Sequence, residues 1–232
     1  MSSSAVDLES VTDLITARLG YLEVLVARWG SRLPWSCEDV LAAQDRGEDP
    51  TGPWRDQVRA SQGAMYGVRA PAQVGAAFVL QWYLGVVANP LAWAAVIGPY
   101  VLDAAPEALT FDLAPESWFP CAVSVSPVGV LVSEDAAARR EQAHARYLDH
   151  ARRFVDGYRP GVKVGSRQRN GMIVDAWQMA LEAASAAFDA EPVPPQMRQA
   201  CCFIYALPGA QACARCPRRV VRASAESAAS VS

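Results

Sequence analysis

From Ala70 to Leu102 the chain carries no charged side chain. A stretch of that length can cross a bilayer, so it forces a choice between a membrane-spanning protein and one built on a very apolar core. Pro71, Gln73, Gln81, Asn89, Pro90 and Pro99 interrupt it. Asn89-Pro90 divides it into two pieces, from Pro71 to Ala88 and from Pro90 to Leu102, each about one core helix long. No basic cluster marks a cytoplasmic face at either end. The expectation is two buried helices and no integral membrane span. The whole chain of 232 residues agrees: at 52% hydrophobic and 19% charged, with net charge -3, it can fill one sizeable core or two small ones.

Several function classes are absent from the residues. The single lysine, Lys163, is followed by Val164, which removes a phosphate-loop GK[ST] and any choice of Schiff-base lysines. Two histidines, His144 and His150, cannot build HExxH or a multi-histidine metal cage. Neither GxGxxG nor GxSxG occurs. The arginines are scattered and form no basic stripe, so no nucleic-acid partner is expected. Met1 to Leu8 carries no positive charge and leads into an amphipathic pattern, which argues against a secretory signal and for a cytoplasmic setting.

Hydrophobic periodicity predicts a mainly α protein of the α+β class with a small β-hairpin or sheet. Leu8, Val11, Leu14, Ile15, Leu19, Leu22, Leu25, Val26 and Trp29 recur at helical steps, with Ser4 and Asp7 as a capping box, and so predict a first helix to about Trp29. A long connection between Gly30 and Trp54 holds at most a short helix after Ser36. A helix from Trp54 to about Met65 precedes the two apolar ones. Alternation at Ala122 to Ser126 and again at Gly129 to Val132 predicts a hairpin turning near Pro127. Ser133 is expected to cap a helix running to about Tyr158, and Ser166 to start one bearing Ile173, Trp177, Leu181 and Phe188. The expected division is a mainly helical domain over 1–195, a cysteine-bearing C-terminal segment over 196–219, and a disordered Ala/Ser tail over 220–232.

Four of the six cysteines, Cys201, Cys202, Cys213 and Cys216, lie within sixteen residues in the pattern C-C-x10-C-x2-C. Clustered thiols in a reducing compartment serve as metal or redox ligands more often than as disulfides. A tight turn brings Cys213 and Cys216 to one side. In a strand Cys201 and Cys202 would point to opposite faces, so both can be ligands only where the backbone turns. A single tetrahedral zinc seldom uses such a pair, whereas a two-iron cluster tolerates one awkward pair, and all-thiolate ligation suits iron and sulfide.

The run Cys201-Cys202-Phe203-Ile204-Tyr205-Ala206-Leu207-Pro208-Gly209, followed by Cys213-Ala214-Arg215-Cys216-Pro217, resembles the C-terminal signature of the FhuF-like ferric siderophore reductases. The resemblance covers about residues 198 to 219. It departs at Ala206, a position that is basic in many members. It implies a [2Fe-2S] cluster on Cys201, Cys202, Cys213 and Cys216. It also implies one-electron reduction of a hydroxamate-type ferric siderophore to release ferrous iron. No flavin or nicotinamide motif is present, so an external donor such as a ferredoxin or reductase is expected. Arg215, inside the ligand loop, is a candidate for tuning the cluster, because positive charge beside a dianionic cluster favours its reduced form. The alternatives are a structural zinc module closing a binding or scaffold protein, or an iron-sulfur sensor or electron carrier without a substrate cleft.

Other residues read as structural. His144 and His150 lie about 240° apart around one helix and cannot share an ion. Cys37 and Cys121 lack near partners and read as small buried hydrophobes. Trp82, Trp93 and Trp177 sit on apolar helix patterns and read as core. Trp35, Trp54 and Trp118, beside prolines in expected loops, are the candidates for lining an open apolar pocket.

Overall fold

The computed structural model describes residues 7–28, 32–188, 190 and 192–219. Six α-helices, α1 (Leu8–Leu19), α2 (Cys37–Asp45), α3 (Gly52–Tyr66), α4 (Ala72–Ile97), α5 (Ala136–Gly157) and α6 (Ser166–Ala187), pack with six short strands. The strands are β1 (Glu23–Val26), β2 (Trp35–Ser36), β3 (Tyr100–Val101), β4 (Leu109–Leu113), β5 (Pro120–Val125) and β6 (Leu131–Val132). The class is α+β, mainly α, as expected.

The charge-free stretch forms the centre of the molecule. It is one helix, α4, and not two. Proline inside a helix removes a backbone donor and crowds the preceding turn, at a cost of about 3 kcal/mol. Here Asn89 donates its side-chain amide to the Gly85 carbonyl at 2.8 Å, and burial of nearly every side chain from Val74 to Ala95 outweighs the interruption. The helix is long and apolar enough to cross a membrane, but 78% of its most hydrophobic window is buried inside the fold. Helices α6, α5, α3 and α1 cover it, and Gly75 lets α3 approach: a Cβ there would lie 2.8 Å from the Arg55 carbonyl oxygen.

The first helix stops ten residues earlier than its periodicity predicts. Gly20 closes it in the left-handed region (φ 67°), and Leu25 and Val26 beyond it belong to β1, where Glu23 faces out and Val24 in. Asp7 is the N-cap and accepts from the Ser10 backbone N–H at 2.8 Å; Ser4 and Trp29 lie outside the described residues, as does the expected tail. Both helical and alternating patterns place Leu22 and Val24 on an apolar face, and the pairing that decides between them comes from a strand about a hundred residues away. β1 runs parallel to β5 with Val24 opposite Val123. The sheet order is β1-β5-β4-β2, the last two contacts antiparallel.

The hairpin is also displaced from its expected place. β5 pairs back on β4, not forward on β6. The chain turns at Gly129 (φ 79°), and β6 joins β3 in a separate two-stranded ribbon. The short helix after Ser36 and the helix around residues 54–65 form as expected, Ser36 accepting from Asp39 N–H at its start. The cap of α5 is Asp135, not Ser133, because its carboxylate reaches two free N–H groups of the first turn, Ala137 and Ala138. Ser166 opens α6.

Candidate metal centre

One face of α6 is built to hold the C-terminal segment. Gln168, Gly171, Asp175, Gln178 and Glu182 recur at three- and four-residue steps, the spacing of a single helix face. Gln168 donates to the Cys201 carbonyl at 2.6 Å. Asp175 accepts from the backbone N–H groups of Gln199 (2.8 Å) and Ala200 (3.0 Å) and pairs with Arg198 at 3.4 Å, both side chains being almost wholly buried. Glu182 accepts from Gln196 N–H at 3.2 Å, from Gln178 at 3.0 Å and from Arg215. At Gly171 the segment comes so close that a Cβ would meet Gln199 at 3.1 Å. Arg198 also donates to Gln81 Oε1 of α4 at 2.8 Å, which ties the segment to the central helix.

This stripe places the four sequence-predicted cysteines. Arg198 N–H donates to the Arg215 carbonyl at 3.1 Å and joins the two limbs at their base. Cys216 N–H donates to the Cys213 carbonyl at 3.1 Å and closes the C-x2-C turn. After Cys202 the backbone turns sharply at Phe203, which holds φ 62° despite its bulk. That conformation costs a non-glycine residue about 1–2 kcal/mol and clusters at functional sites. It turns the chain directly after the adjacent pair Cys201 and Cys202. Phe203 N–H donates to Cys201 Sγ at 3.4 Å, and Gly209 (φ 76°) folds the intervening loop back.

The thiols are close enough to feel one another. Burial pushes the Cys201 thiol up to about 11, the Phe203 N–H opposes this, and Cys216 and Cys202 add to it. Burial also raises Cys213, with Cys202 and Cys216 raising it further and Arg198 opposing. Cys202 and Cys216 are buried, while Cys201 and Cys213 are partly open. Among the described residues no three His, Cys, Asp or Glu side chains gather as ligands of one ion. A [2Fe-2S] group asks for something else, two thiolates on each of two irons, and an all-sulfur donor set is the one iron and sulfide prefer. The nearby carboxylates, Asp175 and Glu182, are engaged by arginines. In the chemistry of its donors, four thiols with the neighbouring carboxylates already paired, the segment therefore fits the cluster.

Arg215 is not a free charge. It pairs with Glu182, whose carboxyl is pushed up by burial but held lower overall by Arg215, Gln178 and Gln196. Arg215 also forms part of the wall of a pocket of about 440 Å³, together with Tyr21, Trp82 and Phe119, Gln81 and Asn89. This pocket corrects the expected tryptophans. Trp54 is fully buried and donates to the Trp118 carbonyl at 2.7 Å, and Trp35 stacks on Phe111; none of Trp35, Trp54 and Trp118 lines it. Trp82, read as core, does line it, stacked on Phe78 and edge-on to Phe119.

Of the residues set aside, His144, His150 and Cys37 are held within the fold, whereas Cys121 is partly exposed and not the buried hydrophobe expected. His150 bridges the Ala104 carbonyl (2.7 Å) and the Tyr83 hydroxyl (3.0 Å), and His144 stacks on Trp177. Cys37 is buried, its thiol pushed up to about 12 by burial, with Tyr83 opposing. The α6 stripe was overlooked in the sequence, although Asp175 stands out there as the lone charge between Gly171 and Leu181. No curated protein matches the chain. Residues 198–218 match the family model described as the FhuF 2Fe-2S C-terminal domain, a cluster-binding domain, and Cys201, Cys202, Cys213 and Cys216 fit its signature, consistent with a FhuF-like family.

Proposed function

We propose that the protein is a cytoplasmic ferric siderophore reductase, in which Cys201, Cys202, Cys213 and Cys216 hold the cluster and the neighbouring pocket receives a hydroxamate-type chelate. A bound cluster supplies one electron, and because ferrous ion is softer than ferric and binds hard oxygen donors less well, reduction loosens the chelate. The observation that carries this reading is Arg215: flanked by Cys213 and Cys216, it is also pocket wall.

The chain's own residues bind and orient. A volume of about 440 Å³ falls in the range of small-molecule sites. Tyr21, Trp82 and Phe119 offer rigid aromatic surface to hydrocarbon linkers, and Gln81 and Asn89 offer amides to hydroxamate and amide oxygens. Arg215, held in place by its pair with Glu182, keeps its guanidinium in the pocket wall from within the cysteine loop. In this reading residues 1–195 carry most of the pocket, residues 196–219 carry the cluster, and the electron comes from an external donor.

Gly85 provides the test. It lines the pocket, and a Cβ there meets only Asn89 Nδ2, at an ordinary 3.5 Å, so Gly85→Leu fills the pocket without breaking α4. Ferrioxamine B titrated into the cluster-loaded protein should quench tryptophan fluorescence saturably, and Gly85→Leu should weaken binding by on the order of tenfold or more. Equal affinity in the variant, with its cluster spectrum intact, would remove the pocket from the reading.

A further inference from the structure

We propose that the exposed arginine face of the cysteine segment, Arg218 and Arg219 with Tyr205, is the docking site for an acidic protein electron carrier; the inference rests on the redox reading above. Residues 198–219 contain four arginines and no aspartate or glutamate. Two of them are spoken for, Arg198 by Asp175 and Arg215 by Glu182. Arg218 and Arg219 are exposed and have no carboxylate partner among the described residues. They are nonetheless held in place. The Arg218 guanidinium lies 3.9 Å from the Tyr205 ring centroid, and Arg219 donates to the Ala212 carbonyl at 3.0 Å.

With Gln211 and Ala212 these residues line a hollow of about 260 Å³ that shares no residue with the pocket at Arg215. A chelate in the first pocket and a carrier at the second therefore do not compete for the same residues. The local positive charge runs against the net charge of -3 of the whole chain, which is the pattern that orients an encounter between proteins. Arginines already immobilised by a ring and a carbonyl lose little freedom on binding carboxylates, and electron-transfer encounters need only a small interface. In the exchange the reduced carrier loses one electron and the cluster segment's cofactor gains it, with no covalent bond made or broken.

The experiment uses the full-length, cluster-loaded protein and an acidic plant-type ferredoxin. Calorimetric titration with oxidised ferredoxin at low salt should give saturable binding that weakens steeply as salt is added. Arg218→Glu with Arg219→Glu should weaken it by about tenfold or more, while Arg218→Lys with Arg219→Lys should keep most of it. Stopped-flow reduction by reduced ferredoxin should fall in parallel, by about 10- to 1,000-fold for a lost steering field. Photoreduction by uncharged deazariboflavin should be unchanged in both variants. No ferredoxin binding to the wild type, unchanged binding in the charge-reversed variant, or an equal fall with deazariboflavin would overturn the proposal. Reoxidation of the photoreduced wild-type protein by ferrioxamine B is independent of docking, so its failure would count against the reductase reading instead.

Discussion

Serine in place of Cys201, Cys202, Cys213 or Cys216 should abolish or alter the visible cluster absorption, whereas Cys37→Ser and Cys121→Ser should leave it unchanged. Absorption spectra of the six purified variants decide this. The family signature was legible because its spacing is local: C-C-x10-C-x2-C is written within one segment. The partner of Arg215 was not legible, since Glu182 lies thirty-three residues away and only folding joins them. A second residue carries a pH prediction. His150 is pushed down to about 4, chiefly by burial, while Ala104 opposes and Arg153 lowers it further. Between about 6.5 and 4 the unfolded chain then binds a proton that the folded one refuses. Stability is fully present above the unfolded value of about 6.5 and is lost as pH falls toward 4, by on the order of 3 kcal/mol. Urea unfolding midpoints across this range should fall with pH in the wild type and fall less in His150→Phe.

At the scale of the element, α6 serves the metal centre as much as the core. Asp175→Asn removes the charge opposite Arg198 while both groups stay buried, and breaking such a pair costs about 3 kcal/mol. Thermal melts should show the loss, and iron content per chain should drop, because two backbone N–H groups beside Cys201 rest on the same carboxylate. Gly171→Val should act by sterics alone, pushing on Gln199 and Ala200 and costing about 1–3 kcal/mol, with lower iron retention in the same assay. The helix itself was read correctly from Ile173 and Trp177. Its polar stripe was passed over because polar residues on a helix ordinarily face water. α4 shows the opposite error: Asn89-Pro90 reads as a break, and burial on all sides keeps the helix continuous. β1 was lost to the helix before it because four residues hold too little pattern to outvote a preceding periodicity.

For the whole molecule, one core unites what the sequence divides. Ala200, Cys202 and Leu207 of the cysteine segment belong to the same buried cluster as α4, α5 and α6. The class and most helices could be read because each carries its own apolar face. The parallel pairing of β1 with β5, the ribbon of β3 and β6, and the pocket beneath Arg215 could not, since each joins parts of the chain that only packing brings together. The pocket matters most to the proposed reading, because binding of a ferric chelate there would separate a reductase from an iron-sulfur carrier or sensor. The most direct test is an anaerobic EPR and visible spectrum of the protein as purified, after one-electron reduction, and after adding ferrioxamine B with a ferrous-iron trap. The account predicts a brown protein whose reduced signal disappears as ferrous iron is trapped in equal amount. A colourless protein holding one zinc per chain, or a reduced signal that persists with ferric chelate present, would contradict it.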